Sequence, residues 1–314
     1  MQCPYCAATL PDDDLFCEEC GQRLQAPEPL VGEGALCLCG APDDQLDEEG
    51  YCLSCGRRCR PAPSDHLETE ISPELAAVSD RGQRHSRNED RFVVRTEEGR
   101  ALLVVCDGVS NSGHAEEAAA LAGESISAAL AGGASLPDAL AEAQRQVARL
   151  GRPDALGSCP STTVVAAVAT PDQVKVAWLG DSRAYWISQE GVNQLTSDHS
   201  WMNAVLSSGE LTASEAAKSP QAHGITRWLG ADADGEMQPD LVDFAVPGPG
   251  SLLLCTDGLW NYAPQPADME ALMRQCSQQE ATALQTARRL IDFANGKGGQ
   301  DNVTAALLCW KAPH

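Results

Sequence analysis

The sequence predicts an α+β fold with largely antiparallel strands, and the order of its elements is the main evidence. Two consecutive helix patterns follow the first strand patterns, and three strand patterns then follow one another without an intervening helix. Strict alternation of strands and helices would instead indicate a doubly wound parallel sheet. The chain has 314 residues, 43% of them hydrophobic, which is enough for one sizeable core and a small appendage.

The element predictions rest on short apolar runs for strands and longer segments for helices. Strands are predicted at residues 91–95, 101–106, 163–169, 174–179, 184–188, 251–255 and 302–310. Helices are predicted at residues 115–130, 136–150, 201–208, 267–276 and 279–294. Ser277 is the predicted N-cap of the last helix, and Gly296 follows its end. We divide the chain into a cysteine-rich module at 1–60, a proline-containing linker at 61–74 and a main domain at 75–314.

The charge of the chain limits the partners that we expect. The formal net charge is −23, and acidic residues outnumber basic ones both in residues 1–66 and in the remainder. Such a chain repels nucleic-acid phosphates and anionic lipid, so neither nucleic acid nor a membrane is an expected partner. No apolar run approaches the roughly 20 residues of a membrane helix, and the first residues do not resemble a signal peptide. A cytoplasmic location is therefore predicted.

Nine of the 14 cysteines lie within the first 59 residues, and the first four of them form two CxxC pairs. Cys3 and Cys6 form the first pair, and Cys17 and Cys20 form the second. Each CxxC turn brings two thiolates together, and four thiolates make the tetrahedral set that structural zinc prefers. So short a segment cannot bury a core, so we expect zinc binding to drive its folding.

A second cysteine cluster begins with a CxC pair, which is one residue shorter than usual. Its candidate zinc ligands are Cys37, Cys39, Cys52 and Cys55, although Cys59 offers a further thiol that could replace one of them. Each pair is followed by a glycine, which fits the tight turn of a zinc knuckle. Together the two clusters resemble a double zinc ribbon over residues 3–56, holding two structural Zn²⁺ ions. Such a module is compatible with a protein partner.

Four aspartates in the main domain each stand beside an apolar strand pattern. Asp107, Asp181 and Asp257 follow such a run, and Asp301 precedes one. If three or four of these strand ends converge, their carboxylates form an all-oxygen pocket. Such a pocket suits hard cations, Mg²⁺ or Mn²⁺, rather than zinc.

Six short motifs carry a resemblance to a known family. In chain order they are Arg87-Asn88-Glu89-Asp90, Asp107-Gly108-Val109-Ser110, Ser161-Thr162-Thr163, Gly180-Asp181-Ser182-Arg183, Thr256-Asp257-Gly258-Leu259 and Gly299-Gln300-Asp301-Asn302-Val303-Thr304. Over about residues 76–311 the chain resembles the bacterial PPM-type (type 2C) serine/threonine protein phosphatases. The resemblance implies a four-layer αββα sandwich, in which helices flank two stacked antiparallel sheets. It also implies hydrolysis of phosphoserine and phosphothreonine by a water bound to a binuclear Mn²⁺ or Mg²⁺ centre, with no covalent nucleophile.

The resemblance implies a specific set of metal ligands. Asp107 would bridge two ions, with the backbone carbonyl of Gly108 on one of them and the carboxylates of Asp257 and Asp301 on the other. Glu89 and Asp90 form an acidic pair that would help to hold the second ion. Asp181 would bind a third, weaker ion. Asn302 would orient its neighbour. The expected partners are phosphorylated proteins that a serine/threonine kinase modifies.

One position departs from the family pattern. Where the family places a phosphate-binding arginine, this chain has His85, flanked by Arg84 and Arg87. A neutral histidine lacks the permanent charge and the bidentate fork of arginine. If the segment is an extended strand, Arg87 shares a face with Glu89 and Arg84 does not. We therefore predict that Arg87 binds the phosphate.

The segment at residues 196–224 matches the mobile flap over the family's active site. Asp198, His199 and His223 are its candidates for substrate or metal contacts. Two other functions compete with an active phosphatase. One is a weak or inactive scaffold with the same fold, which the retained aspartates disfavour. The other is a nucleic-acid-binding regulator that acts through the zinc ribbons, which the acidic composition disfavours.

Overall fold

The computed structural model describes most of the main domain and part of the cysteine-rich module. The described residues are 37, 39–46, 50–56, 59, 63–110, 112–151, 159–209, 211–216, 218–222, 224–231, 233, 238–278 and 281–311. Two compact units divide the chain, Met1–Pro63 and Ser64–His314. The predictions made for Cys3, Cys6, Cys17, Cys20 and His223 lie outside the described residues.

The second unit contains all of the regular strands and α-helices of the described chain. Its strands are β1 His66–Ser72, β2 Leu75–Asp80, β3 Arg91–Glu97, β4 Arg100–Cys106, β5 Ser161–Thr162, β6 Val164–Ala169, β7 Gln173–Leu179, β8 Arg183–Ser188, β9 Gly191–Gln194, β10 Leu229–Gly230, β11 Asp240–Ala245, β12 Gly250–Cys255 and β13 Val303–Trp310. Its helices are α1 Ala115–Ala131, α2 Leu136–Leu150, α3 Trp201–Ser208, α4 Ala213–Ala216, α5 Asp257–Trp260, α6 Pro266–Cys276 and α7 Ala283–Gly296. No described helix has both the length and the apolar character needed to cross a membrane.

Two antiparallel sheets form the centre of this unit. One has six strands in the order β1-β2-β13-β12-β8-β9, and the other has five in the order β11-β7-β6-β4-β3. A small third sheet pairs β5 with β10. Each strand that carries a predicted aspartate has a neighbouring strand on both sides, so hydrogen bonds hold it in place along both edges.

Three apolar clusters hold the layers together, and they confirm the αββα sandwich. The cluster between the sheets includes Trp178, Trp186, Leu103 and Leu252, all at most 5% exposed. A second cluster packs α1 and α2 against the five-stranded sheet, and a third packs α6 and α7 against the six-stranded sheet. Burial of large apolar side chains on both faces of both sheets is the main driving force for this arrangement.

The prediction of a linker at residues 61–74 is wrong for its second half. Strand β1 pairs with β2 from His66↔Asp80 to Ser72↔Leu75, and it forms an edge of the six-stranded sheet. Edge strands commonly carry charged side chains, which limit pairing with other chains. The charged residues of β1 therefore resembled a solvated linker in the sequence.

The start of helix α7 also differs from its prediction. The N-cap is Thr282 rather than Ser277, because Thr282 and Gln285 form a capping box. The Gln285 backbone N–H donates to Thr282 Oγ1 over 3.2 Å, and the Thr282 backbone N–H donates to Gln285 Oε1 over 3.1 Å. A reciprocal pair satisfies two backbone donors that would otherwise lack partners at the helix start, which a single serine cannot do.

Candidate metal centre

Four predicted aspartates meet in one cleft at an end of the sandwich. Asp107, Asp181, Asp257 and Asp301 all line a cavity of about 480 Å³. Asp107 follows β4, Asp181 follows β7 and Asp257 follows β12, whereas Asp301 precedes β13. The structure therefore brings together carboxylates from both sheets, as the strand-end pattern of the sequence predicted.

The turn after β4 is held by the neighbouring β5 segment. The Asp107 carbonyl accepts a hydrogen bond from the Thr163 backbone N–H over 2.8 Å and another from Thr162 Oγ1 over 2.9 Å. Gly108 forms a bridge with Thr162, and a Cβ there would lie 2.8 Å from the Glu89 carbonyl oxygen. Only glycine fits so close an approach, which explains the Asp-Gly sequence at this strand end.

The Asp257 turn contacts the Asp301 segment in a similar way. A Cβ on Gly258 would lie 1.9 Å from the Asn302 carbonyl oxygen, so the absence of a side chain lets the two backbones touch. Asp257 is the first residue of α5, and its Oδ2 accepts a hydrogen bond from Asn261 Nδ2 over 3.1 Å. The close backbone contact positions the carboxylates of Asp257 and Asp301 on the same cleft.

Asn302 anchors the loop that carries the acidic pair. Its Oδ1 accepts from the Glu89 backbone N–H over 2.8 Å, and its Nδ2 donates to the carbonyls of Arg81 and Arg87 over 2.8 and 2.9 Å. The family resemblance implied that Asn302 orients its neighbour. In the structure its side chain forms hydrogen bonds with residues more than 200 positions away in the chain. The Glu89 carboxylate accepts from Ser110 Oγ over 2.7 Å.

Asp90 is almost fully buried, at 1% exposure. Its Oδ2 accepts hydrogen bonds from Thr256 Oγ1 over 2.9 Å and from Thr304 Oγ1 over 2.8 Å. Its Oδ1 is buried and has no hydrogen-bond donor among the described residues. A buried oxygen without a donor is costly unless a cation or a water binds it, so this carboxylate fits the predicted role beside a metal ion.

The electrostatics of the cleft favour a bound cation. Burial raises the pKa of Asp107 and of Asp257 well above the usual range, and repulsion from the neighbouring aspartates raises both further. Burial is also the main cause that raises the pKa of Asp90 to about 7 and that of Asp181 to about 6. Divalent cations would remove this repulsion, so the donor set fits Mg²⁺ or Mn²⁺.

The spacing of the carboxylates indicates how such ions would be held. Within the part of the chain that the structure describes, no three acidic side chains bring one oxygen each within 4.8 Å of one another. Mg²⁺ typically takes only one or two protein carboxylates and keeps several waters.

The predicted phosphate-binding segment is not an extended strand. Gln83 and Arg84 lie in a turn, and Ser86 and Arg87 lie in a bend, so the alternation that singled out Arg87 does not apply. The His85 Nε2 lies 3.1 Å from Asp301 Oδ1, which commits one of its two ring nitrogens to a carboxylate. The Asn302 side chain holds the Arg87 backbone close to that of Glu89.

The flap candidates Asp198 and His199 are engaged in protein contacts. Asp198 forms a bidentate, largely buried ion pair with Arg183, over 2.9 and 2.7 Å. His199 is buried and stacks on Trp178, and its Nδ1 accepts from the Gly180 backbone N–H over 3.1 Å. Burial lowers the pKa of His199. Both side chains attach the flap segment to the strand ends rather than facing the cleft.

Sequence reasoning missed several residues of the cleft. Its remaining lining residues include Ser110, Ser112, Ile225 and Trp228. Ser110 lies within a recognised motif but had no role assigned. Ile225 and Trp228 lie in an irregular segment without periodicity, so no pattern in the sequence identified them.

The second cysteine cluster closes around one point, in the first unit. The sulfur atoms of Cys37, Cys39, Cys52 and Cys55 all lie within 4.8 Å of one another. The turns that follow the two pairs match, because the Gly40 N–H donates to the Cys37 carbonyl and the Gly56 N–H to the Cys52 carbonyl. Of the two sets left open by the sequence, the described geometry favours the one without Cys59, which packs beside the cluster.

The protonation of these thiols is already uneven. Burial acts to raise the pKa of Cys52, but hydrogen bonds from the backbone N–H groups of Ser54 and Cys55 and with the thiols of Cys39 and Cys55 outweigh it and lower the pKa to about 6. A thiol with so low a pKa is largely a thiolate at neutral pH, which is the form that binds zinc. A backbone hydrogen bond from Cys39 acts to lower the pKa of Cys37, but a hydrogen bond with Cys59 and burial help to raise it to about 11.

An αββα sandwich whose cleft presents oxygen ligands for hard cations defines the class of metal-dependent phosphatases. Comparison with known sequences agrees with this class, because the family profile described as Protein phosphatase 2C matches residues 80–293. The chain belongs to that family, and it is a metal-dependent protein serine/threonine phosphatase.

Relatives and solved structures support the assignment. The chain is 29% identical to the Serine/threonine phosphatase stp of Listeria innocua over 241 residues, which is 73% of this chain and 93% of that protein. The crystal structure of Stp1 from Staphylococcus aureus superposes with a TM-score of 0.67 at 27% identity, covering 79% of this chain and 98% of the other. The catalytic domain of PstP in complex with two manganese ions gives 0.58 at 26% identity, covering 76% and 98%.

Proposed function

We propose that this cleft holds two Mn²⁺ or Mg²⁺ ions and uses them to dephosphorylate phosphoserine and phosphothreonine in proteins. The proposed ligands are Asp107, the carbonyl of Gly108, Asp257 and Asp301, with Glu89 and Asp90 supporting the second ion and Asp181 a third. The observation that carries the proposal is the convergence of four aspartates in one cleft, where burial and the neighbouring aspartates raise the pKa of Asp107 and of Asp257. Bound cations would acidify a water and neutralise the charge of the phosphoryl group.

The protein's own residues supply rigidity to this centre. Thr256 and Thr304 hold one oxygen of Asp90, which leaves the other for an ion or for its water. Asn302 holds the Glu89 segment. Rigid donors keep the reacting groups in position without reorganisation during the reaction, which is the largest contribution that a protein makes to such chemistry.

Hydrolysis of a phosphothreonine peptide tests the proposal. We expect activity with Mn²⁺ or Mg²⁺, loss of activity in excess chelator and recovery when the metal is restored. Calorimetry of Mn²⁺ binding to the metal-free protein should independently give at least two sites. Hydrolysis that continues unchanged in chelator would contradict a metal-based mechanism.

We also propose that Arg87 binds the substrate phosphate, in preference to Arg84 and His85. The support is the position of its backbone beside Glu89, together with the engagement of His85 with Asp301. Arg87→Ala should raise KM for a phosphopeptide roughly tenfold with a small change in kcat, since it removes a charge-assisted contact. Arg84→Ala is the matched control and should change KM little. The reverse ranking would assign the phosphate to Arg84.

The cysteine-rich module is proposed to hold two structural Zn²⁺ ions. One would bind Cys37, Cys39, Cys52 and Cys55, and the other Cys3, Cys6, Cys17 and Cys20. The converging sulfur atoms of the former set support the first assignment. A protein partner of this module, substrates modified by a serine/threonine kinase and a cytoplasmic location complete the proposal. Reduced zinc-binding thiolates suit a reducing compartment.

A further inference from the structure

The lining of the phosphatase cleft includes apolar side chains besides its aspartates. The apolar side chains among its lining residues are Val109, Ile225 and Trp228. Ile225 and Trp228 belong to one short segment, residues 224–230, which we call the wall segment. Both side chains are partly exposed, so they offer apolar surface to a molecule in the cleft.

The wall segment is attached at its first end to the start of α3. The Trp201 backbone N–H donates to the Gly224 carbonyl over 2.8 Å, and Ile225 forms a bridge with Ser200. The Thr226 N–H donates to the His199 carbonyl over 2.8 Å. These contacts fix the backbone on both sides of Ile225.

The second end is attached to the five-stranded side of the sandwich. Leu229 and Gly230 form β10, which pairs with β5 beside the Asp107 turn. The Gln144 side chain on α2 donates to the Gly230 carbonyl over 2.7 Å and accepts from the Gly230 N–H over 3.0 Å. The wall segment is thus anchored at both ends, with Trp228 immediately before the second anchor.

The positively charged side chain of the wall segment, Arg227, forms an ion pair outside the cleft. Arg227 Nη1 donates to Asp240 Oδ1 over 2.9 Å, and Arg227 is not among the residues that line the cleft. The segment therefore presents apolar surface to the cleft while its charge is paired outside. A rigid apolar surface next to a reaction centre favours an apolar group on the substrate, because burying that group removes it from water.

We propose that Ile225 and Trp228 bind an apolar side chain that flanks the phosphorylated residue, so that the enzyme prefers phosphopeptides with an apolar neighbour. This inference rests on the proposed function, because the phosphate must bind at the aspartates of the cleft through bound cations. Partial burial of one leucine-sized side chain corresponds to a preference of about tenfold in kcat/KM.

The test compares phosphothreonine peptides that differ only in a leucine or a serine next to the phosphothreonine, on its N-terminal or on its C-terminal side. Acetyl-phosphothreonine-amide, which has no flanking side chains, serves as the reference substrate. The wild-type enzyme with Mn²⁺ should prefer leucine about tenfold at one of the two positions. Trp228→Ala and Ile225→Ala should bring this ratio close to one, mainly through a higher KM for the leucine peptide.

Matched variants separate this effect from a general disturbance. Trp228→Phe keeps an aromatic surface and should retain most of the preference. Leu241→Ala removes an exposed apolar side chain from β11, outside the cleft, and should leave the ratio unchanged.

The outcomes distinguish the inference from the proposed function. If the enzyme hydrolyses the reference substrate but treats the leucine and serine peptides alike at both positions, the inference is wrong and the proposed function stands. If it hydrolyses none of these substrates with Mn²⁺, the proposed function fails first. A leucine preference that survives Trp228→Ala and Ile225→Ala would assign the preference to another surface. The wild-type ratio requires no variant, so misfolding of a variant cannot leave the question undecided.

Discussion

The two metal sites of this chain are built in opposite ways. The four thiols of the described cysteine cluster, the proposed zinc site, come from one short segment, residues 37–55, and two tight turns suffice to bring them together. The four aspartates of the cleft span residues 107–301 and meet only because strands of two sheets end at the same place. We expect the first site to gain its order from a bound metal, whereas the second is assembled by a hydrophobic core that needs none.

The protonation of the two sites shows the same contrast. In the thiol cluster, hydrogen bonds lower the pKa of Cys52 to about 6, whereas the pKa of Cys37 is raised to about 11, so one thiol is prepared to bind a metal as a thiolate and another is not. In the cleft, burial and neighbouring carboxylates raise the pKa of Asp107, Asp181 and Asp257. The core therefore imposes a strained cluster of acids, and a cation relieves the strain. Chelation should abolish the activity of the cleft without unfolding it, whereas it should unfold the thiol cluster.

The largest effect that we expect is the loss of activity in Asp107→Asn. An amide binds Mn²⁺ or Mg²⁺ far more weakly than a carboxylate, so phosphopeptide hydrolysis should fall by about a hundredfold or more. In chelator the variant should melt at the same temperature as the wild type or higher, because one buried charge is gone. Asp243→Asn, on the exposed edge strand β11, is the control and should keep full activity. Near-wild-type activity of Asp107→Asn would remove Asp107 from the centre.

The converse experiment removes a thiol. Cys52→Ser should lower the zinc content of the full chain by one ion, because three thiolates and a hydroxyl hold zinc poorly. Hydrolysis of a small phosphopeptide should stay within about twofold of the wild type, since the catalytic groups lie in the other unit. Cys159→Ser, outside the cluster, should change neither quantity. Loss of activity in Cys52→Ser would show that the zinc module and the cleft are coupled.

The sequence allowed the prediction of sites whose signal is local or repeated. Asp107, Asp181 and Asp257 each follow an apolar run, and the thiols follow a spacing typical of zinc sites, so the convergence of each set of side chains could be anticipated from the order of residues. Trp228 could not be found, because a single aromatic residue in an irregular segment has no pattern. The contacts of Asn302 with residues 81–89 were also out of reach, since they join segments more than 200 positions apart.

Strand β1 shows why the domain boundary was misplaced. Its side chains are mostly exposed, and its charged residues act through contacts that the sequence does not show. Glu68 pairs with Arg288 on α7, and His66 pairs with Asp80 at 2.7 Å. An edge strand stabilised by such pairs is hard to distinguish from a solvated linker by composition alone.

Two truncations test that boundary and should give a moderate effect. A chain that starts at residue 64 keeps β1. Its melting temperature should be close to that of the main domain within the full-length chain. A chain that starts at residue 75 exposes the edge of β2 and loses the Glu68 and His66 contacts. We expect its melting temperature to be lower by about 5 °C or more, corresponding to roughly 2 kcal/mol. Equal melting temperatures of the two truncated chains, measured by circular dichroism, would mean that β1 contributes nothing to the stability of the sandwich.

The smallest effect that we expect is a pH dependence of the melting temperature, which bound metal should reduce. The pKa of Asp90 is raised to about 7 and that of Asp181 to about 6, against about 4 for an unfolded aspartate. Between about pH 4 and pH 7 the folded, metal-free protein therefore holds protons that the unfolded chain has released. Stability must then fall as pH rises through this window.

Bound Mn²⁺ takes over the role of these protons, because it stabilises the ionised carboxylates. The melting temperature should thus decline from pH 5 to pH 7 in chelator and decline less with Mn²⁺. His66, whose pKa is also raised by its two acidic neighbours, contributes a slope of the same sign. It lies on β1 and does not line the cleft, so its contribution cancels in the difference between the two series. Asp181→Asn should remove part of that difference. Identical slopes with and without Mn²⁺ would show that the protons and the metal do not share the same carboxylates.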